Sequence, residues 1–273
     1  LGVLTKAFED YGLLGKTIGV NGTARAVNML DIQGRLDINF KNGKTILEEL
    51  RIIKTEEEID KLREAARMAD NVFDELTRFI RPGMQEKDIK NKIEELFMEM
   101  GADGLSFNPI IASGPNSSKP HYNMDSRVIK EKDIIIIDFG CKYKGLCSDM
   151  TRTVFVGDIS EEEKKIYDIV NRSNEAGEKA VKVGVTAKSV DEIARNIIKE
   201  EGYGEHFLNR LGHGIGYSVH EAPYIKGDNE RKLEKGMAFS IEPGIYLPGK
   251  FGVRIEDIVV VTEEGVEILN KAT

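Results

Sequence analysis

The sequence feature that most constrains the fold is the stretch Lys132–Gly140, KDIIIIDFG, with its continuation to Asp149. Four consecutive isoleucines bounded by charged residues predict a short buried strand. Asp138 follows them directly, and a buried carboxylate is costly unless it is paired or bound to a cation. The chain then turns and returns as CSDMTRTVFVG, so Asp149 lies beside Asp138 across a predicted hairpin, because strand side chains alternate between two faces. Two acids that point inward together indicate a metal site.

Two pairs of predicted helices indicate an internal duplication. The first helix of each pair begins at a capping box, at Thr55 and at Ser160, and each of these residues is followed by three glutamates. The helix that begins at Ser160 is predicted to end near Gly184. The second helix of the first pair is predicted from about Glu86 to Met100, and the second helix of the later pair ends at Gly202. Both carry apolar residues at helical spacing. A constant offset of 101 residues pairs Gly83, Ile89, Ile93, Leu96, Phe97 and Gly101 with Gly184, Val190, Ala194, Ile197, Ile198 and Gly202. A whole helix in one register favours duplication over chance.

Each half of the chain ends in a predicted strand–turn–strand that carries two acids. The first carries Asp138 and Asp149, and the second, FSIEPGIYLPGKFGVRIEDIVVV, carries Glu242 and Glu256. Strands that alternate with helix pairs predict an α/β or α+β fold, with a sheet covered by helices.

The N-terminal segment, residues 1–50, differs from the remainder because it has turn signals and only short apolar runs. This pattern is typical of a strand–helix–strand fragment that is too small for a core of its own. We therefore expect two parts, a partial N-terminal segment of residues 1–50 and one large domain of residues 51–273.

Composition excludes several classes of partner. A net charge of −8 without a basic block argues against nucleic acid, and no apolar run approaches the length of a membrane span. No signal-peptide pattern is present at Leu1, and low cysteine use favours the cytoplasm. Cys141 and Cys147 could form a disulfide, but we expect two small buried residues instead.

One histidine lies between the two halves, in the glycine-rich run at residues 211–216. Taken singly, each candidate has an ordinary explanation: His213 could be structural, Asp138 could pair with a lysine, Asp149 could cap a turn and Glu256 could end a solvated strand. Together, one histidine and four carboxylates match the mixed ligands of a pair of divalent ions. Two such ions would cancel the repulsion among the four acids and would lower the pKa of a bridging water to near neutrality.

From about Arg51 to Val266 the sequence resembles the M24 or "pita-bread" metallopeptidases, which include methionine aminopeptidase, aminopeptidase P and prolidase. The resemblance rests on IIASGPNSSKPHY, IDFGCKYKGLCSDMTRTVFVG, LGHGIGYSVHEAP and FSIEPGIYLPGKFGVRIED. It implies a pita-bread fold, with an internally duplicated, curved, antiparallel-rich sheet covered by helices. The segment GIYLPGKFGVRIED is similar to that of aminopeptidase P and prolidase. Residues 1–50 would then be the last part of the extra N-terminal domain of that branch.

The resemblance implies five metal ligands, and all five are present: Asp138, Asp149, His213, Glu242 and Glu256. The ligand set therefore points away from metal-free members of the family, such as creatinase. Two divalent ions would lie roughly 3.5 Å apart. Oxygen ligands favour manganese, and cobalt, iron or zinc would also suit the site.

The resemblance also implies the roles of the catalytic residues. Glu242 would act as general base toward the water, and His220 would stabilise the tetrahedral oxyanion. His121 would hold or protonate the leaving side of the peptide, and Arg254 would orient the carboxylates. His206 matches no catalytic position of the family, and we expect it to be structural or exposed.

The function implied is a dinuclear exopeptidase that releases the first residue from peptides with proline second, by attack of a metal-bridging hydroxide. We expect a cytoplasmic homodimer. The alternatives are methionine aminopeptidase-like activity, a non-catalytic binding protein on the same fold, and a metal-dependent hydrolase of a non-peptide.

Substrate length depends on the position four residues after His220. Some prolidase-like members place an arginine there, which can bind the carboxylate of a dipeptide. Here the position is Tyr224, which carries no positive charge. We therefore expect longer Xaa-Pro peptides to be accepted, unless another cation such as Lys226 or Lys250 reaches the carboxylate.

Overall fold

The structure is a computed structural model that describes residues 2–272 and divides into two compact units, which meet in the chain between Arg51 and Ile52. The first unit contains a strand–helix–strand segment flanked by two further helices, and its strands β1 and β2 are parallel, with Thr17 opposite Asn39. Its elements are α1 (Gly2–Asp10), β1 (Thr17–Val20), α2 (Ala26–Gln33), β2 (Asn39–Asn42) and α3 (Lys44–Arg51). Its origin as part of a larger domain stays a prediction.

The second unit contains four long helices in two pairs. They are α4 (Glu56–Phe79), α5 (Glu86–Glu99), α6 (Glu161–Ala180) and α7 (Ala187–Glu200), with short 3-10 helices at Gly114–Ser118 and Gly204–His206. Both predicted capping boxes are formed at Thr55 and Ser160. Helix α6 ends four residues before Gly184, where the sequence placed its end, because Val181 already has extended backbone. None of the helices in residues 2–272 is both long and apolar enough to cross a bilayer.

The strands of the second unit pair in antiparallel fashion. They form one five-stranded sheet (order β10-β9-β11-β14-β15), two three-stranded sheets (β4-β5-β8 and β3-β6-β7) and the pair β12-β13. The strands are β3 (Gly104–Leu105), β4 (Ile110–Ser113), β5 (Ile134–Phe139), β6 (Cys141–Tyr143), β7 (Leu146–Cys147), β8 (Met150–Phe155), β9 (Gly212–Gly214), β10 (Glu221–Ile225), β11 (Ala238–Ile241), β12 (Gly244–Leu247), β13 (Phe251–Arg254), β14 (Asp257–Thr262) and β15 (Gly265–Ile268).

The predicted duplication is confirmed by the helices. The bounds of α5 and α7 differ by the same 101 residues that align their sequences. Gly83 and Gly184 before these helices, and Gly101 and Gly202 after them, all have φ between 81° and 92°. This backbone is readily adopted only by glycine, so the four glycines serve the same turns in both halves.

Strand β5 contains the four isoleucines and is buried along its whole length. It lies between β4 and β8, and both of its faces are covered. Because both faces are buried, the strand has consecutive apolar residues instead of alternating apolar and polar residues. Ile135 and Ile137 join the core that contains residues of α4 and α5, whereas Ile136 contacts Tyr246 on the other face. Asp138 shares the face of Ile136, because strand side chains alternate. The fold therefore directs this acid away from the helices.

The two cysteines behave as predicted from the sequence. Cys141 and Cys147 are buried and carry free thiols. Burial raises the pKa of each thiol to about 11, so both are protonated and unreactive at neutral pH.

Candidate metal centre

The first pair of acids comes from β5 and the start of β8. Asp138 lies opposite Thr151, and Asp149 lies two residues before Thr151, so the two acids are on one face of the sheet. The segment that connects these two acids is longer than the simple turn that the sequence predicts. Residues 141–147 form the small hairpin β6–β7, which pairs with β3 in a separate sheet.

The second pair of acids and the histidine come from the later half of the chain. Glu242 directly follows β11, Glu256 lies between β13 and β14, and His213 is the central residue of β9. The backbone of Glu256 donates a hydrogen bond to the carbonyl of Thr151 at 3.1 Å. This contact joins the two halves at the point where their acids meet.

The structure brings all predicted site residues to one cavity of about 130 Å³. Its lining includes His121, Asp138, Asp149, His213, His220, Glu242, Arg254 and Glu256. The Nε2 atom of His213 lies 3.2 Å from Glu242 Oε1 and 3.6 Å from Asp149 Oδ2. Ligand atoms of Asp149, His213 and Glu256 all lie within 4.8 Å of one another.

Three carboxylate oxygens in this cavity lack a donor. Asp138 Oδ1, Asp149 Oδ1 and Glu256 Oε1 are buried, and nothing in residues 2–272 donates a hydrogen bond to them. Such oxygens are costly in a protein interior unless a cation binds them. His213 Nδ1 lies 3.1 Å from the Gly214 carbonyl, so donation from Nδ1 leaves the Nε2 lone pair free. The residues therefore fit divalent metal ions, which take carboxylate oxygen and imidazole nitrogen.

Burial dominates the electrostatics of the acids and of His213. It raises the pKa of Asp138, of Asp149 and of Glu256, and it raises the pKa of Glu242 to about 7. The neighbouring carboxylates add to the increase at Asp149 and Glu256. Burial lowers the pKa of His213 to about 3, so its imidazole is neutral and able to bind metal. The acids need positive charge nearby to ionise at neutral pH.

Arg254 supplies one positive charge and orients the acids. Its guanidinium donates from Nη2 to Asp138 Oδ2 at 2.6 Å and from Nε to Thr151 Oγ1 at 3.0 Å. Thr151 in turn donates to Glu256 Oε2 at 2.6 Å. A third bond from Arg254 reaches the Tyr246 hydroxyl at 2.8 Å. Asp138 and Glu256 thus each have one carboxylate oxygen held by a hydrogen bond and one oxygen without a donor.

Sequence reasoning missed several residues that shape this cavity. No local pattern indicates that Thr151 Oγ1 donates to Glu256 Oε2, or that Ser240 Oγ donates to Glu242 Oε1 at 3.0 Å. Glu86, at the start of α5, reads as an ordinary solvated helix residue. Its side chain is instead completely buried and binds the segment that carries His121.

The remaining residues singled out in the sequence do not line the cavity. His206 is half-buried in a 3-10 helix and is absent from the cavity lining. Lys226 pairs with Asp228 at 3.0 Å, and Lys250 pairs with Glu162 at 2.8 Å, both on the surface. Tyr224 lies directly opposite His213 in the pairing of β10 with β9.

Comparison with known proteins gives consistent matches over nearly the whole chain. The sequence profile of metallopeptidase family M24 matches residues 60–263. The Xaa-Pro dipeptidase of Pyrococcus furiosus is 40% identical over 270 residues, which cover 97% of this chain and 78% of that protein.

Solved structures agree with the sequence matches. A dipeptidase from Pyrococcus horikoshii has a TM-score of 0.95 and 44% identity, and the match covers 100% of this chain and 76% of that one. An X-Pro aminopeptidase from Thermotoga maritima has a TM-score of 0.91 and 40% identity, with coverage of 99% and 77%. Dipeptidase and aminopeptidase are therefore matched almost equally well.

Proposed function

The chain belongs to metallopeptidase family M24, and we propose that within this family it is a dinuclear exopeptidase. The match to the family profile and the similarity to solved structures confirm the family and the duplicated pita-bread fold that the sequence segments indicated. A metallopeptidase of this family uses divalent metal ions. The proposal adds that two ions bind, with manganese preferred, and that the enzyme releases the first residue from peptides with proline second.

One observation carries the proposal: all eight predicted residues line one cavity, in which three buried carboxylate oxygens lack a donor. Asp138, Asp149, His213, Glu242 and Glu256 would hold the ions. When bound, the ions supply a water that is acidic enough to act as nucleophile at neutral pH. Similarity to the Xaa-Pro dipeptidase and the X-Pro aminopeptidase supports proline in second place.

The chain's own residues account for proton transfer and charge stabilisation. Glu242 lines the cavity and has one carboxylate oxygen held by Ser240 Oγ at 3.0 Å, so its carboxylate is placed to take a proton from the attacking water. Burial lowers the pKa of His220, so its ring is neutral and donates one N–H to the developing oxyanion. His121, exposed at the same cavity, would contact the leaving side of the peptide. Arg254 would keep Asp138 and, through Thr151, Glu256 in position.

The test is hydrolysis by metal-free protein to which manganese, cobalt, iron or zinc is added back singly. Substrates are Ala-Pro, Ala-Pro-Ala, Ala-Ala and Met-Ala-Ser, with an ester as non-peptide control. We expect metal-dependent release of the first residue from the two Ala-Pro peptides alone. Preferred cleavage of Met-Ala-Ser would indicate methionine aminopeptidase activity, and metal binding without hydrolysis would indicate a binding protein. The homodimer and the cytoplasmic location stay predictions.

A further inference from the structure

Arg210 is a guanidinium next to the metal centre without a hydrogen-bond partner. Its Nε is buried, and no acceptor within residues 2–272 binds it or the other guanidinium nitrogens. The other arginines near the sheets, Arg127, Arg152, Arg195 and Arg254, each donate at least two hydrogen bonds. A buried donor without an acceptor destabilises the fold. An anion that binds at Arg210 would remove this cost.

The register of the strands places Arg210 on the side of the metal ligands. Its guanidinium carbon lies 5.2 Å from the centre of the Tyr224 ring, over the ring face. Tyr224 is directly opposite His213 in the antiparallel pair, and directly opposite residues project from the same face of a sheet. The ring and the guanidinium above it are therefore on the face of His213. Asn209, the chain neighbour of Arg210, lines the metal cavity itself.

Arg210 differs from the other cations that could reach a substrate carboxylate. Lys226 and Lys250, the two lysines considered for this role, are each held in a surface ion pair, with Asp228 and Glu162 respectively. Arg210 thus lies close to the cavity, its guanidinium is oriented by the Tyr224 ring, and its N–H groups have no acceptor among the described residues.

We propose that Arg210, stacked on Tyr224, binds the C-terminal carboxylate of a dipeptide substrate and makes the enzyme prefer dipeptides. The inference rests on the proposed function and deepens it. In a dipeptide the carboxylate lies one residue, roughly 3.5 Å, beyond the scissile bond, so a cation beside the metal cavity is well placed to bind it. A guanidinium presents two parallel N–H groups to a carboxylate, and the tyrosine ring holds the guanidinium plane.

This role changes the expectation drawn from Tyr224 alone. Tyrosine at that position carries no charge, which predicts acceptance of longer peptides. With Arg210 over its ring, the same place has a positive charge that comes from the segment just before β9. Extension or amidation of the C-terminus removes the negative charge next to Arg210 and should weaken binding.

The test compares the acid and amide forms of one substrate. For the wild-type enzyme loaded with manganese, we expect kcat/KM for Ala-Pro to exceed that for Ala-Pro amide by at least about tenfold. Arg210→Met, which keeps an unbranched side chain of similar length but removes the charge, should raise KM for Ala-Pro by roughly 10- to 100-fold with little change in kcat. The acid-to-amide ratio should fall to near one, and Arg210→Lys should restore part of it.

Matched controls separate this role from general damage. Lys226→Met removes a nearby paired cation and should leave the acid-to-amide ratio as in wild type. Tyr224→Ala should lower the ratio partly, because the guanidinium loses its support. An Arg210→Met variant with an unchanged ratio, or with equal losses on acid and amide, overturns the role of Arg210 alone. If the wild-type enzyme cleaves neither substrate, the proposed function fails and this inference fails with it.

Discussion

At the residue scale, the proposed function assigns metal binding to some side chains of the cavity and contact with the substrate to another. Asp149 is buried and has an oxygen without a donor, whereas His220 is accessible to solvent although its ring is partly covered, edge-on, by the His213 ring, with ring centres 4.2 Å apart. Loss of Asp149 should therefore affect metal binding, and loss of His220 should affect turnover.

His220→Ala should keep its metal and its fold but lose roughly 100- to 1000-fold in kcat, because one donor to the oxyanion is removed. Asp149→Ala is the matched variant and should lose metal. Metal content by elemental analysis, circular dichroism and kcat on Ala-Pro distinguish the two results. Near-normal turnover in His220→Ala, or full metal occupancy in Asp149→Ala, would contradict these assignments.

At the element scale, the N-terminus of α5 holds the His121 loop, defined as residues 113–127. Glu86 Oε1 accepts hydrogen bonds from the Ser113 amide and hydroxyl, both at 2.8 Å, and Oε2 accepts from the Tyr122 hydroxyl at 3.0 Å. The Arg127 amide donates to Oε2 at 3.3 Å, and the Glu86 amide donates to the Arg127 carbonyl at 3.0 Å. One buried carboxylate thus ties both ends of the loop and the neighbour of His121 to the helix.

Glu86→Gln should weaken this attachment, because its amide group presents donors where the carboxylate accepted hydrogen bonds. We expect a loss of roughly 2–3 kcal/mol in the free energy of unfolding and a fall in kcat of roughly ten- to hundredfold, since His121 is displaced. Metal content should not change. Glu94→Gln, on the exposed side of the same helix, is the control and should alter stability by less than about 0.5 kcal/mol. A Glu86→Gln enzyme with wild-type stability and kcat would rule out this function of the carboxylate.

At the scale of the whole molecule, the two duplicated halves are joined by a buried ion pair, next to which lies the buried acid Glu178. Arg152 Nη2 donates to Asp257 Oδ1 at 2.5 Å and Nη1 donates to the Glu256 carbonyl at 2.7 Å. Glu178 of α6 lies next to this pair, and its Oε1 is buried without a donor. Burial, and then the charge of Asp257, raise the pKa of Glu178 to about 8, against an opposing effect of Arg152. The exposed Glu175 adds a smaller increase.

The stability of the protein should therefore fall as the pH rises from about 4.5 to 8. Folded Glu178 keeps its proton over this range while the unfolded chain loses it, so ionisation favours unfolding. Glu178→Gln should flatten this dependence and raise the free energy of unfolding at pH 8 by on the order of 2–4 kcal/mol. Urea unfolding at pH 5 and pH 8 measures both effects. Glu175→Gln, exposed on the same helix, should keep the wild-type slope, and an identical slope in Glu178→Gln would refute the assignment.

The sequence alone determined most of the helices and strands and grouped the candidate metal ligands, because both depend on local rules. Capping at Thr55 and Ser160 acts within one helical turn, and the isoleucine run of β5 reflects burial on both faces. Two acids on each hairpin follow from strand alternation, so Asp138, Asp149, Glu242 and Glu256 could be grouped before any coordinates. His213, in the glycine-rich run between the halves, completed this group, and the family likeness then added His220, His121 and Arg254.

Tertiary structure decided which polar atoms are satisfied and which remain free. Arg254 donates a hydrogen bond to Asp138, 116 residues earlier in the chain. Glu86 accepts hydrogen bonds from a loop that begins 27 residues later, at Ser113. Arg210 is left free over Tyr224 only because β9 and β10 pair in a particular register. Such contacts join residues far apart in the chain, and their geometry depends on packing of the whole fold, which no local pattern encodes.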